Sequence, residues 1–249
     1  MHARASSLSR LVAITTVALL GITACSSGNN GGGNGGGNAN NGNNASGNGG
    51  PLQVGKDGES TFDATMLDEQ LSSVPIATLS DSEIAGLLRM REEEKLAHDV
   101  YTTLGEQWGV QIFENIASSE STHSEAVKTL LDRYGLDDPS AGKAVGEFSD
   151  PAMQTLYDTL VEQGSESLVA ALTVGATVED LDIADLQTLA TPAPDIALVY
   201  ANLEKGSRNH LRAFTRQLTA NGATYTPSYI SQEQYDEIVA GDMERGPGG

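Results

Sequence analysis

The chain predicts an all-α fold: a bundle of four main helices in two hairpins, with a long crossover between helices 2 and 3 and short extra helices. Three observations carry that expectation. Apolar residues recur at three- and four-residue intervals over four long stretches, capping signals bracket those stretches, and alternating runs of the strand type are nearly absent. The long connection after the second helix separates this arrangement from a simple up-down-up-down bundle.

In chain order the first element is a leader. Residues 1–24 read as a secretory signal: Arg4 and Arg10 supply a positive start, Leu11 to Leu20 a short apolar run, and Ile22-Thr23-Ala24 lead into Cys25. The apolar run is too short to remain comfortably as a membrane-spanning helix, and no later segment qualifies. Small residues just before a cysteine resemble the bacterial lipoprotein signal, in which that cysteine is lipidated and becomes the mature N-terminus. The expected protein is exported, lipid-anchored through Cys25 and faces outside the cytoplasm; an ordinary signal peptide followed by a chance cysteine is the alternative. Cys25 is the single cysteine, so packing or metal must do what disulfides do in other exported domains. From Ser26 to Gly50 the chain is almost entirely Gly and Asn, too poor in apolar surface to order itself, and residues 25–50 read as a lipidated, disordered tether.

Residues 51–79 have weak periodicity and read as an irregular or partly helical preamble. The domain proper is expected over residues 80–240. Ser80-Asp81-Ser82-Glu83 is a capping box with Leu79 and Ile84 as a hydrophobic staple, opening a helix to about Gly105 that buries Leu87, Met90, Ala97 and Tyr101. Trp108-Gly109 closes the first hairpin, and the second helix runs from about Gln111 to Tyr134, ended by Gly135. Within the crossover, Asp150-Pro151 starts a short helix ending near Gly164. A third main helix covers about Ser165 to Leu189, Pro192 and Pro194 interrupt the chain, and a fourth covers Asp195 to Ala220. Ser231-Gln232-Glu233-Gln234 opens a minor terminal helix, and residues 241–249 read as a disordered tail.

The net charge of −20 becomes −22 once Arg4 and Arg10 leave with the signal. That excludes nucleic acid as an expected partner, since phosphate contacts need clustered Lys and Arg. An acidic surface keeps an exported protein soluble and also concentrates cations.

Cation chemistry is what the second helix points to. Its apolar stripe runs Phe113, Ile116, Glu120, His123, Val127, Leu130, Tyr134, so a carboxylate and an imidazole one turn apart face the core. Buried charges need a partner, and a metal ion would serve both groups, although a hydrogen-bonded Glu–His pair without metal fits the same spacing. On the first helix, Glu94 falls in the stripe between Met90 and Ala97. Glu92, Glu93 and Glu94 with Lys95 also fit a solvated charged face.

The segment Arg91-Glu92-Glu93-Glu94-Lys95-Leu96-Ala97-His98-Asp99-Val100-Tyr101 resembles the first-helix motif of ferritin-like carboxylate proteins, in which an inward Glu precedes a Tyr by seven residues. Ser118-Ser119-Glu120-Ser121-Thr122-His123 matches their second-helix Glu-x-x-His. With Gly206-Ser207-Arg208-Asn209-His210-Leu211-Arg212-Ala213-Phe214, these segments are similar to a prokaryotic ferritin-like domain of unknown function. The resemblance covers about Ser80 to Val239. It implies Glu94 as a terminal carboxylate, Glu120 as a bridging one, His123 as its paired imidazole, Glu179 as the third-helix carboxylate and His210 as the fourth-helix imidazole. Asp182 is a reserve ligand, and Tyr101 a core residue or a hydrogen-bonding neighbour of the ligands.

One departure stands out. The family pattern puts a second Glu three residues before His210, where this chain has Ser207, and Glu204 is rotated well away. One metal or an asymmetric pair then replaces the full two-metal set. His98, beside Arg91 and Lys95, reads as flanking surface. Glu179 also reads as a first-turn acid of a helix newly capped by Thr177 and Asp180. Carboxylates with imidazoles suit one or two iron ions, and also manganese or zinc. The resemblance implies a di-iron or mononuclear oxidoreductase of oxidase or peroxidase type, oxidising Fe(II) with oxygen or peroxide. The rival expectation is a non-catalytic binding or envelope-stress module with an incomplete site. A homodimer is compatible with either, whereas the tether would obstruct a closed storage shell.

Overall fold

The computed structural model describes residues 50–245. The signal sequence, Cys25 and the tether up to residue 49 lie outside the described residues, as do residues 246–249. Within them the chain forms a two-stranded hairpin, β1 (Leu52–Val54) and β2 (Ser60–Phe62), followed by seven helices. These are α1 (Ala64–Ser72), α2 (Asp81–Trp108), α3 (Gln111–Tyr134), α4 (Pro151–Gly164), α5 (Leu168–Thr188), α6 (Pro194–Ala220) and α7 (Gln232–Ala240). The domain is mostly helical, and no helix among the described residues is long and apolar enough to cross a membrane.

Local chemistry sets the boundaries. The Ser80 hydroxyl accepts from the Glu83 N–H while the Glu83 side chain returns to the Ser80 N–H, so two of the unpaired donors at the start of α2 are satisfied together. Gly135 ends α3 at φ 65°, a left-handed conformation that a side chain would strain. Asp150 caps α4 ahead of Pro151. The third main helix begins later than its sequence pattern indicates, at Leu168, because Ser167 takes the capping position.

Helix α2 packs along α3 and α5 along α6, and the two hairpins meet through α3 against α6 and α2 against α5. The crossover helix α4 lies on α2 and α5. Two apolar clusters fill the interior. On α2 they are separated by residues 91–95, on α3 by residues 118–125 and on α6 by residues 204–210. Those gaps hold Glu94, Glu120, His123 and His210, so the polar layer lies between two oily ones.

The preamble is partly helical, as expected, but it also contains strands. Residues 51–79 form the β1–β2 hairpin and α1. Leu52 pairs with Phe62 and Val54 with Ser60 in antiparallel register. The turn contains Gly58 at φ 103°, which glycine alone adopts without strain. Asp57-Gly58 between two three-residue runs is a hairpin signal, but the runs are too short for alternation to register. The tail departs from expectation: Glu244 accepts hydrogen bonds from Arg208 at 2.6 and 2.8 Å and from Arg212 at 2.8 Å, which ties residues up to Arg245 to α6.

A buried aspartate fixes the connection between α6 and α7. Asp180 on α5 is fully buried and accepts from the Tyr225 hydroxyl at 2.8 Å and from the backbone N–H groups of Ser228, Tyr229 and Ile230 at 2.6, 3.0 and 2.8 Å. Asp180→Ala strands those donors and is expected to destabilise the fold by about 3–5 kcal/mol, read as a lower urea midpoint at unchanged slope.

Candidate metal centre

Four helices each deliver ligand-type side chains into the polar layer. Glu94 comes from α2, Glu120 and His123 from α3, Glu179 from α5 and His210 from α6, and none is more than 2% exposed. Glu120 is central. Its Oε2 lies 2.8 Å from His123 Nδ1 and its Oε1 2.7 Å from His210 Nδ1. A second carboxylate flanks each ring: Glu94 Oε2 is 3.6 Å from His123 Nδ1, and Glu179 Oε2 is 3.5 Å from His210 Nδ1. The order Glu94, His123, Glu120, His210, Glu179 therefore has near two-fold symmetry about the Glu120 carboxylate. The two imidazoles stack 5.4 Å apart and 14° from parallel.

These contacts are close but poorly aligned. His123 Nδ1, His210 Nδ1 and Glu94 Oε1 are buried with no aligned hydrogen-bond partner among the described residues. Buried polar atoms are paired as a rule, and exceptions of this kind mark sites for an ion or water. Ligand atoms of Glu120, His123 and His210 all lie within 4.8 Å of one another, somewhat wider than the roughly 4.2 Å that two bonds of about 2.1 Å to one shared ion can span, so the side chains would close by a few tenths of an ångström on an ion. The donor set fits a hard or borderline divalent cation.

Electrostatics point the same way. Burial pushes Glu94 and Glu179 up to about 7. Burial also raises Glu120, but the His210 and His123 charges outweigh it and hold that carboxyl well below its ordinary range. Burial lowers both imidazoles, yet Glu120 together with the flanking carboxylates raises them, His210 to about 9. Without a metal, the outer carboxyls and the imidazoles of the layer hold protons more tightly than usual.

Neighbouring groups hold these side chains in place. The Tyr101 hydroxyl donates to Glu179 Oε1 at 2.6 Å and contacts the Gly175 carbonyl at 3.2 Å, while its ring packs 5.2 Å from Phe214. Helix α5 runs unbroken through Thr177 and Asp180, so Glu179 sits in mid-helix and not in a first turn. The Ser207 hydroxyl bonds Asp182 and lies 2.9 Å from the Leu203 carbonyl, which commits Asp182 to a hydroxyl. Glu204 turns outward to Arg208 at 2.9 Å. Glu92, Glu93 and Glu94 are all buried, so this acidic run is no solvated face. Glu92 instead accepts from the backbone N–H groups of Ser149 and Asp150 at the start of α4. His98 bonds Asp99 at 2.9 Å on the flank, away from the centre.

Sequence reasoning missed Ser60. This residue of β2 is fully buried, with its Oγ 2.7 Å from His210 Nε2 and 3.3 Å from His123 Nε2. Only the Asp57-Gly58 turn signal could have brought β2 into view.

Fold and site together define a helical domain with a buried carboxylate–imidazole centre built from four helices. Residues 83–242 match the family described as "Uncharacterized protein domain (DUF2202)", and the chain belongs to that family. It is 54% identical over 180 residues to "Uncharacterized protein MJ0754" of Methanocaldococcus jannaschii, covering 72% of this chain and 97% of that protein. The crystal structure of hypothetical protein MJ0754 from the same archaeon superposes with a TM-score of 0.68 at 54% identity, covering 69% of this chain and 99% of that one.

Proposed function

We propose that this protein is a ferritin-like helical bundle that binds iron, or manganese or zinc in its place, in the centre of its core. The observation that carries the reading is Glu120, whose two oxygens each meet an imidazole nitrogen that has no aligned hydrogen-bond partner. Glu94, His123 and one Glu120 oxygen would hold one ion; Glu179, His210 and the other oxygen would hold a second. Iron bound there would supply oxidase- or peroxidase-type redox chemistry. The protein's own contribution is to exclude water with apolar layers on either side, to hold Glu179 through Tyr101 and to keep protons on the ligands until an ion displaces them. The signal sequence and Cys25 support an exported, lipid-anchored protein presenting this domain on a tether outside the cytoplasm.

A second reading has its own support. Ser207 occupies the place of a second bridging Glu and bonds Asp182. A module that keeps the fold and holds metal without turnover accounts for that substitution. One experiment separates the readings: load the chain, freed of its signal and Cys25, with Fe(II) under anaerobic conditions, measure stoichiometry, then admit air. Two ions per chain and a new near-ultraviolet absorbance are expected for the redox protein, and binding without change on aeration for the module. No binding above that of a Glu120→Ala, His123→Ala double variant would remove the metal reading altogether.

A further inference from the structure

We propose that Ser60 is a positioning residue of the centre. Its hydroxyl, delivered by β2, holds the Nε2 atoms of His210 and His123 and so turns both Nδ1 atoms onto the ligand side. The consequence for metal affinity rests on the function proposed above; the orientation of the rings does not.

Two side chains of α3 seat β2. The Ser60 N–H donates to Ser119 Oγ at 3.0 Å and the Phe62 N–H to Thr122 Oγ1 at 2.9 Å. Ser119 and Thr122 flank Glu120 and His123 on the same turns of α3, so the hairpin docks on the stretch of helix that carries the ligands. The Phe62 ring meets the His123 ring edge-on at 5.6 Å. Gly206 on α6 leaves the room this contact needs. A Cβ there would fall 2.6 Å from His123 Cε1 and 2.9 Å from Ser60 Oγ.

Hydrogen-bonding capacity then defines what Ser60 does. A charged imidazole carries an N–H on each nitrogen, and a hydroxyl oxygen accepts up to two hydrogen bonds. The Nδ1 edge of each ring faces Glu120, at 2.8 Å for His123 and 2.7 Å for His210, without an aligned hydrogen bond. On the opposite edge, both Nε2–H groups point at one oxygen, at 2.7 and 3.3 Å. Each ring is thus held at Nε2 while its Nδ1 stays on the Glu120 side, where a cation would displace the proton. Groups that orient a ligating histidine through its other nitrogen are worth about 10–100-fold in metal affinity. Ser60 also lies outside residues 83–242, the part that defines the family match, so the ligands and the residue that orients them come from different parts of the chain.

Imidazole nitrogen-15 shifts of the metal-free chain, from Cys25 onward, test the orientation directly. Wild type should show a hydrogen-bonded Nε2–H on both rings. In Ser60→Ala the His210 signals should move more than those of His123, following the shorter contact, while circular dichroism stays native. Zinc affinity should fall about 10–100-fold in Ser60→Ala. Ser60→Thr, which keeps the hydroxyl, should restore both readouts, and Ser60→Cys, close in volume with weaker hydrogen bonding, should fall between. Unchanged His210 shifts in a folded Ser60→Ala protein would overturn the proposal. Shifts that move as stated, in a chain that binds no zinc, would support Ser60 as the orienting group and count against the metal reading alone.

Discussion

Replacing Glu120 with alanine is expected to abolish metal binding and to weaken the metal-free fold by about 3–5 kcal/mol, the cost of leaving buried charge without its partner. Glu120 is 2% exposed and is the carboxylate nearest to both imidazoles. Both rings hold protons more tightly than usual because of it. Removing it leaves two stacked imidazoles whose remaining anions stand 3.5–3.6 Å off. The rings would then shed protons more easily, so the loss of stability should be larger near pH 6 than near pH 9. Glu120→Gln retains the volume and one carbonyl oxygen, and should lie between alanine and wild type in stability while still failing to join two ions. Chemical denaturation at the two pH values and zinc titration check both parts. An alanine variant with wild-type zinc affinity would mean that the ions, if any, bind elsewhere.

Much of this centre is legible in the sequence because its candidate ligands break apolar stripes. Glu120 and His123 interrupt the run from Phe113 to Leu130, and His210 sits among Leu203, Ala213 and Phe214, so periodicity alone aims them inward. Glu94 is legible for the same reason, although the acids beside it mimic a surface run. What periodicity does not carry is partnership. Glu93 is buried with an Arg89 contact at 3.3 Å, and Glu92 is committed to the backbone of a distant loop. Those roles depend on chain segments that the helical pattern does not connect. Ser60 is hidden more deeply, because three-residue strands give no period and the fold places them on α3 only through hydroxyls that read as ordinary helix-surface serine and threonine. The absent Glu at Ser207 is plain in the sequence, but its partner Asp182 emerges only from the packing of α5 on α6.

In the metal-free protein, stability should fall as pH rises from about 4.5 to about 9, and metal should reverse that trend. Glu94 and Glu179 ionise near 7 in the fold against an ordinary 4.5, so between those values the folded chain keeps protons that the unfolded chain has released. His210 does the same between its ordinary 6.5 and about 9. Wherever the folded state binds more protons, rising pH favours unfolding. Glu120 has the opposite sign, but its contribution is complete above its ordinary range and is lost only in stronger acid, outside this window. A tenfold change in a group's proton affinity on folding corresponds to about 1.4 kcal/mol, so the combined loss is on the order of a few kcal/mol. A divalent ion competes with those same protons, and its affinity must rise over the same window. At a concentration roughly a thousand times its dissociation constant it adds about 4 kcal/mol to the folded state. The gap in melting temperature between zinc-loaded and metal-free protein should therefore widen from pH 5 to pH 8. A metal-free melting temperature that climbs across this range would show that the buried carboxyls are already ionised, and that something other than shared protons holds the layer together.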